Sequence, residues 1–107
     1  MEKVTDRFLR YVQIDTQSDE EGTGTPTTEK QHELARLLVE ELTKMGAEEI
    51  TYDKEHCYVY ASIPATEGME KKPVMGFISH MDTSPAVSGA NVRPRIITAY
   101  DGEDIVL

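Results

Sequence analysis

Residues 74–82 read Val74-Met75-Gly76-Phe77-Ile78-Ser79-His80-Met81-Asp82, an apolar run followed by a histidine and an aspartate. A continuous apolar run of this kind is typical of a β-strand that is covered on both faces. The run therefore predicts a buried central strand, and with it an α/β fold in which helices pack on the sheet. If the extended backbone continues for three residues, the side chains of His80 and Asp82 project to the same side.

Two amphipathic helices are predicted before this run, because apolar residues recur three and four positions apart and each set forms a core-facing stripe. The first stripe comprises Met1, Val4, Phe8, Tyr11 and Val12. The second comprises Leu34, Leu38, Leu42 and Met45, with Ala35 and Leu37 beside it. Thr28 and Gln31 match a capping box at the start of the second helix, and Gly46 suits a left-handed C-terminal cap. His32, in its first turn, is expected to face solvent.

A β-hairpin is predicted between the second helix and the central strand. Residues 50–52 and 58–63 are rich in strand-forming residues and flank a charged turn at 53–56. The chain has a single cysteine, Cys57, so an internal disulfide and a CxxC-type zinc site are excluded. A single cysteine is also consistent with a reducing compartment. We expect Cys57 to be a small buried side chain in a strand. A nucleophilic role is less favoured because His56 would point to the opposite face of that strand.

Length and charge exclude several classes of protein. The chain has 107 residues, which corresponds to one domain or a piece of one. Twenty acidic residues against eleven basic ones give a net charge of −9 without a basic cluster, so nucleic acid and anionic membranes are not expected partners. Early charges leave no room for a secretory signal, and no uncharged apolar run approaches the ~20 residues of a membrane span. We expect a soluble, cytoplasmic protein.

His80 and Asp82 are the candidate site residues. Neutral imidazole is a good zinc ligand, and a nearby carboxylate can hold the ring and fix its tautomer. Ligands of open α/β sheets bind at the carboxyl ends of strands, where this pair is predicted to lie. The structural alternative is a histidine hydrogen-bonded at a strand end, with Asp82 capping the next turn. One pair does not complete a zinc site, and His56 in the hairpin turn is not expected to converge on it.

Several motifs along the chain carry a family resemblance. They are Arg7-Phe8-Leu9 with Tyr11-Val12, Ile14-Asp15-Thr16-Gln17-Ser18, Gly76-Phe77-Ile78-Ser79-His80-Met81-Asp82-Thr83-Ser84-Pro85, and Ser88-Gly89 with Asn91-Val92 and Pro94. Together they resemble the peptidase T family, the tripeptide aminopeptidase branch of the M20 metallopeptidases. The His-Met-Asp-Thr-x-Pro core alone would indicate only the wider M20 group. The flanking motifs narrow the resemblance, which spans nearly the whole chain.

The resemblance implies a cytoplasmic enzyme with two zinc ions that removes the N-terminal residue from tripeptides. By motif position, His80 corresponds to a ligand of one zinc ion, and Asp82 corresponds to the catalytic aspartate that orients that histidine. The family's other zinc ligands, its general base and its lid and dimerisation domain have no match here. Residues 1–107 are therefore expected to form the N-terminal part of a three-layer αβα zinc-exopeptidase-like domain with a mixed sheet.

The apolar ending at residues 105–107 also favours a fragment, with a docked terminal strand as the alternative. We expect such a fragment to be inactive alone and to self-associate through surface that truncation exposes. Two other functions stay open: another M20 hydrolase, such as a dipeptidase or deacylase, and a non-catalytic fragment with a relic site. Residues 15–18 are assigned no catalytic role, since such side chains commonly bond to local backbone. Asn91 and Arg93 also stay outside the site.

Overall fold

The computed structural model describes residues 2–106, so Met1 of the first predicted stripe and Leu107 of the apolar ending lie outside the described residues. Four elements follow in the order α1 (Val4–Tyr11), α2 (Gln31–Lys44), β1 (Glu48–Asp53) and β2 (Tyr58–Ser62). The two strands pair antiparallel, and α2 packs on both of them. The α/β class is therefore confirmed. A three-layer domain with a mixed sheet is not formed within residues 2–106.

The predicted hairpin is confirmed, and the side chain of Asp53 closes its turn. Asp53 Oδ1 accepts hydrogen bonds from the backbone N–H groups of Glu55 and His56, and Oδ2 lies 2.8 Å from His56 Nδ1. This contact raises the pKa of His56 and lowers the pKa of Asp53. Cys57 is buried, as predicted, but it lies in the turn rather than in a strand. Its left-handed backbone, with a φ of 60°, precedes β2.

The helix α2 is confirmed, and its C-terminal end has the predicted cap. Gly46 has a φ of 80°. Its N–H bonds to the Thr43 carbonyl at 3.0 Å, and the Ala47 N–H bonds to the Leu42 carbonyl at 3.0 Å. This pair of bonds is the Schellman arrangement, which satisfies carbonyl groups that the helix leaves unpaired.

The predicted capping box at the start of α2 is wrong. The helix begins at Gln31 without a side-chain cap. The Thr28 hydroxyl donates instead to the Gln17 carbonyl at 2.8 Å, and it accepts a hydrogen bond from Gln31 Nε2 at 3.0 Å. The hydroxyl is therefore used to hold the loop that precedes α2 rather than to cap the helix.

Near its N-terminal end, α2 packs against the hairpin. Leu34 and Ala35 are buried, and His32 lies against Tyr52 of β1 with the ring centroids 5.9 Å apart. His32 Nδ1 also shares a hydrogen bond with the Tyr52 hydroxyl. The expectation that His32 faces solvent is therefore wrong, because β1 covers this side of the first helical turn.

The first predicted helix exists as α1, but its apolar stripe is not core. Val4 is 81% exposed and Phe8 is 61% exposed. The helix contacts α2 through polar groups instead, because Arg10 and Tyr11 both donate hydrogen bonds to the buried carboxylate of Glu41. The helical period was predicted correctly, and Tyr11 of the predicted stripe does face α2, but through a hydrogen bond to Glu41 rather than through apolar packing.

The predicted central strand is wrong. Residues 73–82 form neither helix nor strand, and Phe77 and Ile78 are almost fully exposed. A strand requires backbone hydrogen bonds to a neighbouring strand. Within residues 2–106, the only backbone pairing near this run is the isolated parallel bridge between Gln17 and Thr83, just after it. The apolar run thus lacks the paired and covered environment from which it was predicted.

Candidate functional site

His80 and Asp82 form a hydrogen-bonded pair. His80 Nδ1 lies 3.0 Å from Asp82 Oδ1. Because a carboxylate can only accept, the hydrogen bond places the imidazole proton on Nδ1, and Nε2 of the neutral ring keeps its lone pair. The His80 side chain is 83% exposed and that of Asp82 is 39% exposed. The pair therefore presents an accessible imidazole nitrogen on a ring that a carboxylate orients.

The loop after α1 holds the chain immediately beyond this pair. The Thr83 N–H donates to the Thr16 carbonyl at 3.1 Å. The Thr83 carbonyl accepts hydrogen bonds from the Ser18 N–H and the Ser18 hydroxyl, each at 3.0 Å. The prediction that a central strand carries His80 and Asp82 is wrong. The two side chains nevertheless meet, and a bridge to a loop takes the place of the expected strand.

The pair lies on the wall of a large cavity of about 1090 Å³. Residues from α1, α2, the hairpin turn and the segment around the pair form its wall, among them Tyr11, Leu38, Leu42, Cys57, His80 and Asp82. The volume is slightly above the usual range of small-molecule sites, which is about 300–1,000 Å³. The pair therefore lies on a concave surface.

The donor atoms fit one part of a zinc site. Histidine ligands of zinc usually donate their second ring N–H to a carboxylate, which is the arrangement of His80 with Asp82. No group of three or more His, Cys, Asp or Glu side chains within residues 2–106 is arranged to hold a metal ion. His56, paired with Asp53 in the hairpin turn, does not join them. The described residues thus fit a single imidazole ligand and its orienting carboxylate.

Cys57 does not have the properties of a nucleophile. Its side chain is buried, with an exposed fraction of 3%, and this burial raises the pKa of the thiol. The reactive form of cysteine is the thiolate, which a raised pKa disfavours. The structure therefore supports the structural interpretation of Cys57.

The role of the loop residues at 15–17 was not predicted from the sequence. Asp15 accepts a hydrogen bond from the Gln17 N–H at 3.1 Å and another from Lys30 Nζ at 3.0 Å, and these contacts lower the pKa of Asp15. The Gln17 side chain reaches the carbonyl groups of Pro85 and Val87, about 70 positions along the chain. The motif at 14–18 was visible in the sequence. The distant hydrogen-bond partners of this motif were not visible in the sequence.

Several curated proteins are similar to this chain over nearly its whole length. No family model matches the chain. Curated relatives named peptidase T occur in Alkaliphilus oremlandii (50% identical over 108 residues, 100% of this chain and 26% of the relative) and Geobacillus thermodenitrificans (50% over 106 residues, 99% and 25%). A third, from Clostridium acetobutylicum, is 52% identical over 108 residues, 100% of this chain and 26% of the relative.

These relatives confirm the resemblance to peptidase T over the whole chain. The chain spans about a quarter of the length of the relatives it matches. Among the helices of residues 2–106, none combines the length and the apolar character needed to cross a membrane.

Proposed function

We propose that this chain, which is similar over its whole length to about a quarter of peptidase T, belongs to the catalytic domain of an M20-type aminopeptidase. The whole enzyme would use two zinc ions in the cytoplasm and release the N-terminal residue from tripeptides. The chain would form the N-terminal part of that domain. The observation that supports this proposal is the His80–Asp82 hydrogen bond on the wall of the large cavity.

His80 and Asp82 have distinct roles in this proposal. Asp82 accepts a hydrogen bond from the Nδ1–H group of His80 and so fixes the tautomer and the orientation of the ring. His80 then offers Nε2 as a ligand. When bound, a zinc ion would supply Lewis-acid chemistry that polarises the scissile carbonyl and lowers the pKa of water. The other ligands and the general base would come from the three quarters of peptidase T that this chain does not span.

The cavity suits a short peptide with a free amino terminus. Its volume of about 1090 Å³ is large enough for a small ligand, and its wall includes the acidic residues Asp19, Glu20 and Asp82. A peptide carries a positive charge on its α-amino group near neutral pH. Acidic side chains on the wall favour such a group over a blocked or acylated terminus. This supports an aminopeptidase over a deacylase.

A hybrid enzyme tests the proposal. This chain replaces the matching quarter of the Clostridium acetobutylicum peptidase T, and release of the N-terminal residue from a tripeptide is measured with zinc present. We expect the hybrid to cleave tripeptides. Asp82→Asn should lower kcat/KM about 10–100-fold, as loss of a residue that orients a metal ligand typically does. His80→Ala should lower it at least as much.

Asp53→Asn is the matched control for Asp82→Asn, because Asp53 also pairs with a histidine, His56 of the hairpin turn, and does not line the cavity. We expect this variant to keep the activity of the unmodified hybrid. Full tripeptide turnover by a folded hybrid with His80→Ala would contradict the proposal. Cleavage of dipeptides or N-acylated amino acids in place of tripeptides would favour another M20 hydrolase. A folded hybrid without any hydrolase activity would favour a non-catalytic role.

A further inference from the structure

The side chain of Gln17 joins two distant parts of the chain. Gln17 Nε2 donates to the Pro85 carbonyl at 3.0 Å and to the Val87 carbonyl at 2.8 Å. Both N–H groups of the side-chain amide are therefore used by the segment that follows the His80–Asp82 pair. The backbone bridge between Gln17 and Thr83 lies directly beside these bonds.

The oxygen atom of the same side-chain amide also has a hydrogen-bond partner. Gln17 Oε1 lies 3.4 Å from Lys30 Nζ, and Lys30 Nζ bonds to Asp15 Oδ2 at 3.0 Å. Two carbonyl acceptors on one side and an ammonium donor on the other leave only one favourable orientation of the amide. Gln17 thus connects the loop after α1, the start of α2 and residues 83–87.

These bonds provide the local support for the position of the pair. Residues 74–79 are exposed and have no strand partner within residues 2–106, so they do not fix where His80 lies. On the other side of the pair, Thr83 bonds to the backbone of Thr16 and Ser18. Gln17 extends this attachment by two further bonds. The position of the His80–Asp82 pair relative to α2 therefore depends on the hydrogen bonds that attach residues 83–87 to the loop after α1.

We propose that Gln17 is a positioning residue for the His80–Asp82 pair. Within residues 2–106 it forms no hydrogen bond with either side chain, and it acts through residues 83–87, which it holds against the loop after α1. The inference rests on the proposed function, because it assigns Gln17 to the same site. A glutamine that served only local structure would stabilise the loop without affecting turnover.

The first experiment uses the full chain and does not depend on activity. Amide hydrogen exchange is measured in Gln17→Met and Gln17→Glu, which remove the two donated bonds while keeping a side chain of similar length. Gln13→Met and Gln13→Glu are matched controls, because Gln13 Nε2 bonds to the Leu9 carbonyl one helical turn away. We expect the amides of Ser18 and Thr83 to exchange about tenfold faster or more in the Gln17 variants only.

The second experiment places the same four substitutions in the hybrid enzyme. We expect the Gln17 variants to lower kcat about tenfold with little change in KM. Their zinc content and melting temperature are expected to equal those of the Gln13 controls. A purely structural role would lower the melting temperature or the zinc content and leave kcat per zinc-loaded enzyme unchanged.

The outcomes separate the two proposals. Unchanged exchange of Ser18 and Thr83 in both Gln17 variants would overturn the attachment, whatever the activity. Faster exchange with unchanged kcat would overturn the positioning role while leaving the proposed function intact. A folded hybrid that is inactive with native Gln17 would overturn the proposed function, and the positioning role with it.

Discussion

Gly89 lies against the carboxylate of Asp15, so that a methyl group on Gly89 would come within 2.7 Å of Asp15 Oδ1 and 3.2 Å of Thr83 Oγ1. The carboxylate cannot move away freely, because Gln17 and Lys30 donate hydrogen bonds to it. The small size of Gly89 therefore allows the segment after the His80–Asp82 pair to approach the loop after α1.

Gly89→Ala is expected to destabilise the chain by about 1–3 kcal/mol, the usual range for overpacking. The free energy of unfolding is measured by urea denaturation. Gly76→Ala is the control, because nothing lies within 4 Å of the position of its added methyl group. Equal stability of the two variants would show that Asp15 moves without cost.

Tyr11 provides a pH-dependent contribution to stability. Burial raises the pKa of Tyr11 to about 12, and the hydrogen bond to Glu41 adds to the shift. Between pH 10 and 12 the folded chain then retains a proton that the unfolded chain has lost. The contribution is fully present below pH 10 and is lost as the pH rises through the folded-state pKa.

We therefore expect the free energy of unfolding to fall between pH 10 and 12 in the native chain, and to fall less in Tyr11→Phe. Denaturation at a series of pH values measures this difference. Tyr100→Phe is the control, because Tyr100 is exposed. The same decline in Tyr11→Phe as in the native chain would assign the pH dependence to other groups.

Local patterns in the sequence predicted the elements whose stabilising contacts are local. The period of α2, the glycine at its C-terminal cap and the turn at residues 53–56 each depend on neighbours within a few positions. The run at 74–78 has a strand-like composition, but a strand also depends on a partner that composition does not reveal. In α1 the apolar pattern gave the helix and included Tyr11, but α1 meets α2 through hydrogen bonds from Arg10 and Tyr11 to Glu41, which an apolar pattern does not predict.

The candidate site was predictable in part for a similar reason. His80 and Asp82 are two positions apart, so their spacing alone allowed the pair to be predicted. The contact between Gln17 and Pro85 joins residues 68 positions apart. Neither residue differs in its local pattern from one that forms only local contacts, so the structure was needed to find this attachment.

The exposed run at residues 74–78 is expected to cause self-association. Phe77 is 90% exposed and Ile78 is 101% exposed, and the backbone around them, which has no strand partner within residues 2–106, can accept another strand. We expect the sedimentation coefficient to rise with protein concentration. Ile78→Glu should reduce this rise, because a charge opposes both apolar contact and strand pairing.

Thr66→Glu is the matched control for self-association, since it adds the same charge at an exposed position in the polar connection before the run. We expect it to change the concentration dependence little. A native chain that sediments as a monomer at high concentration would contradict the prediction. Equal effects of the two substitutions would show that net charge, rather than the exposed run, controls self-association.

Zinc binding by the chain alone should be weak. Structural zinc sites with a full ligand set bind with about 10–16 kcal/mol, so a single imidazole is expected to contribute roughly a quarter of that. This corresponds to a dissociation constant on the order of millimolar. Calorimetric titration with zinc measures it, and we expect His80→Ala to weaken binding more than His56→Ala. We also expect no tripeptide hydrolysis by the chain alone, because one ligand and its orienting carboxylate supply no general base. Micromolar, stoichiometric zinc binding that is lost in His80→Ala would mean that further ligands within the chain reach His80.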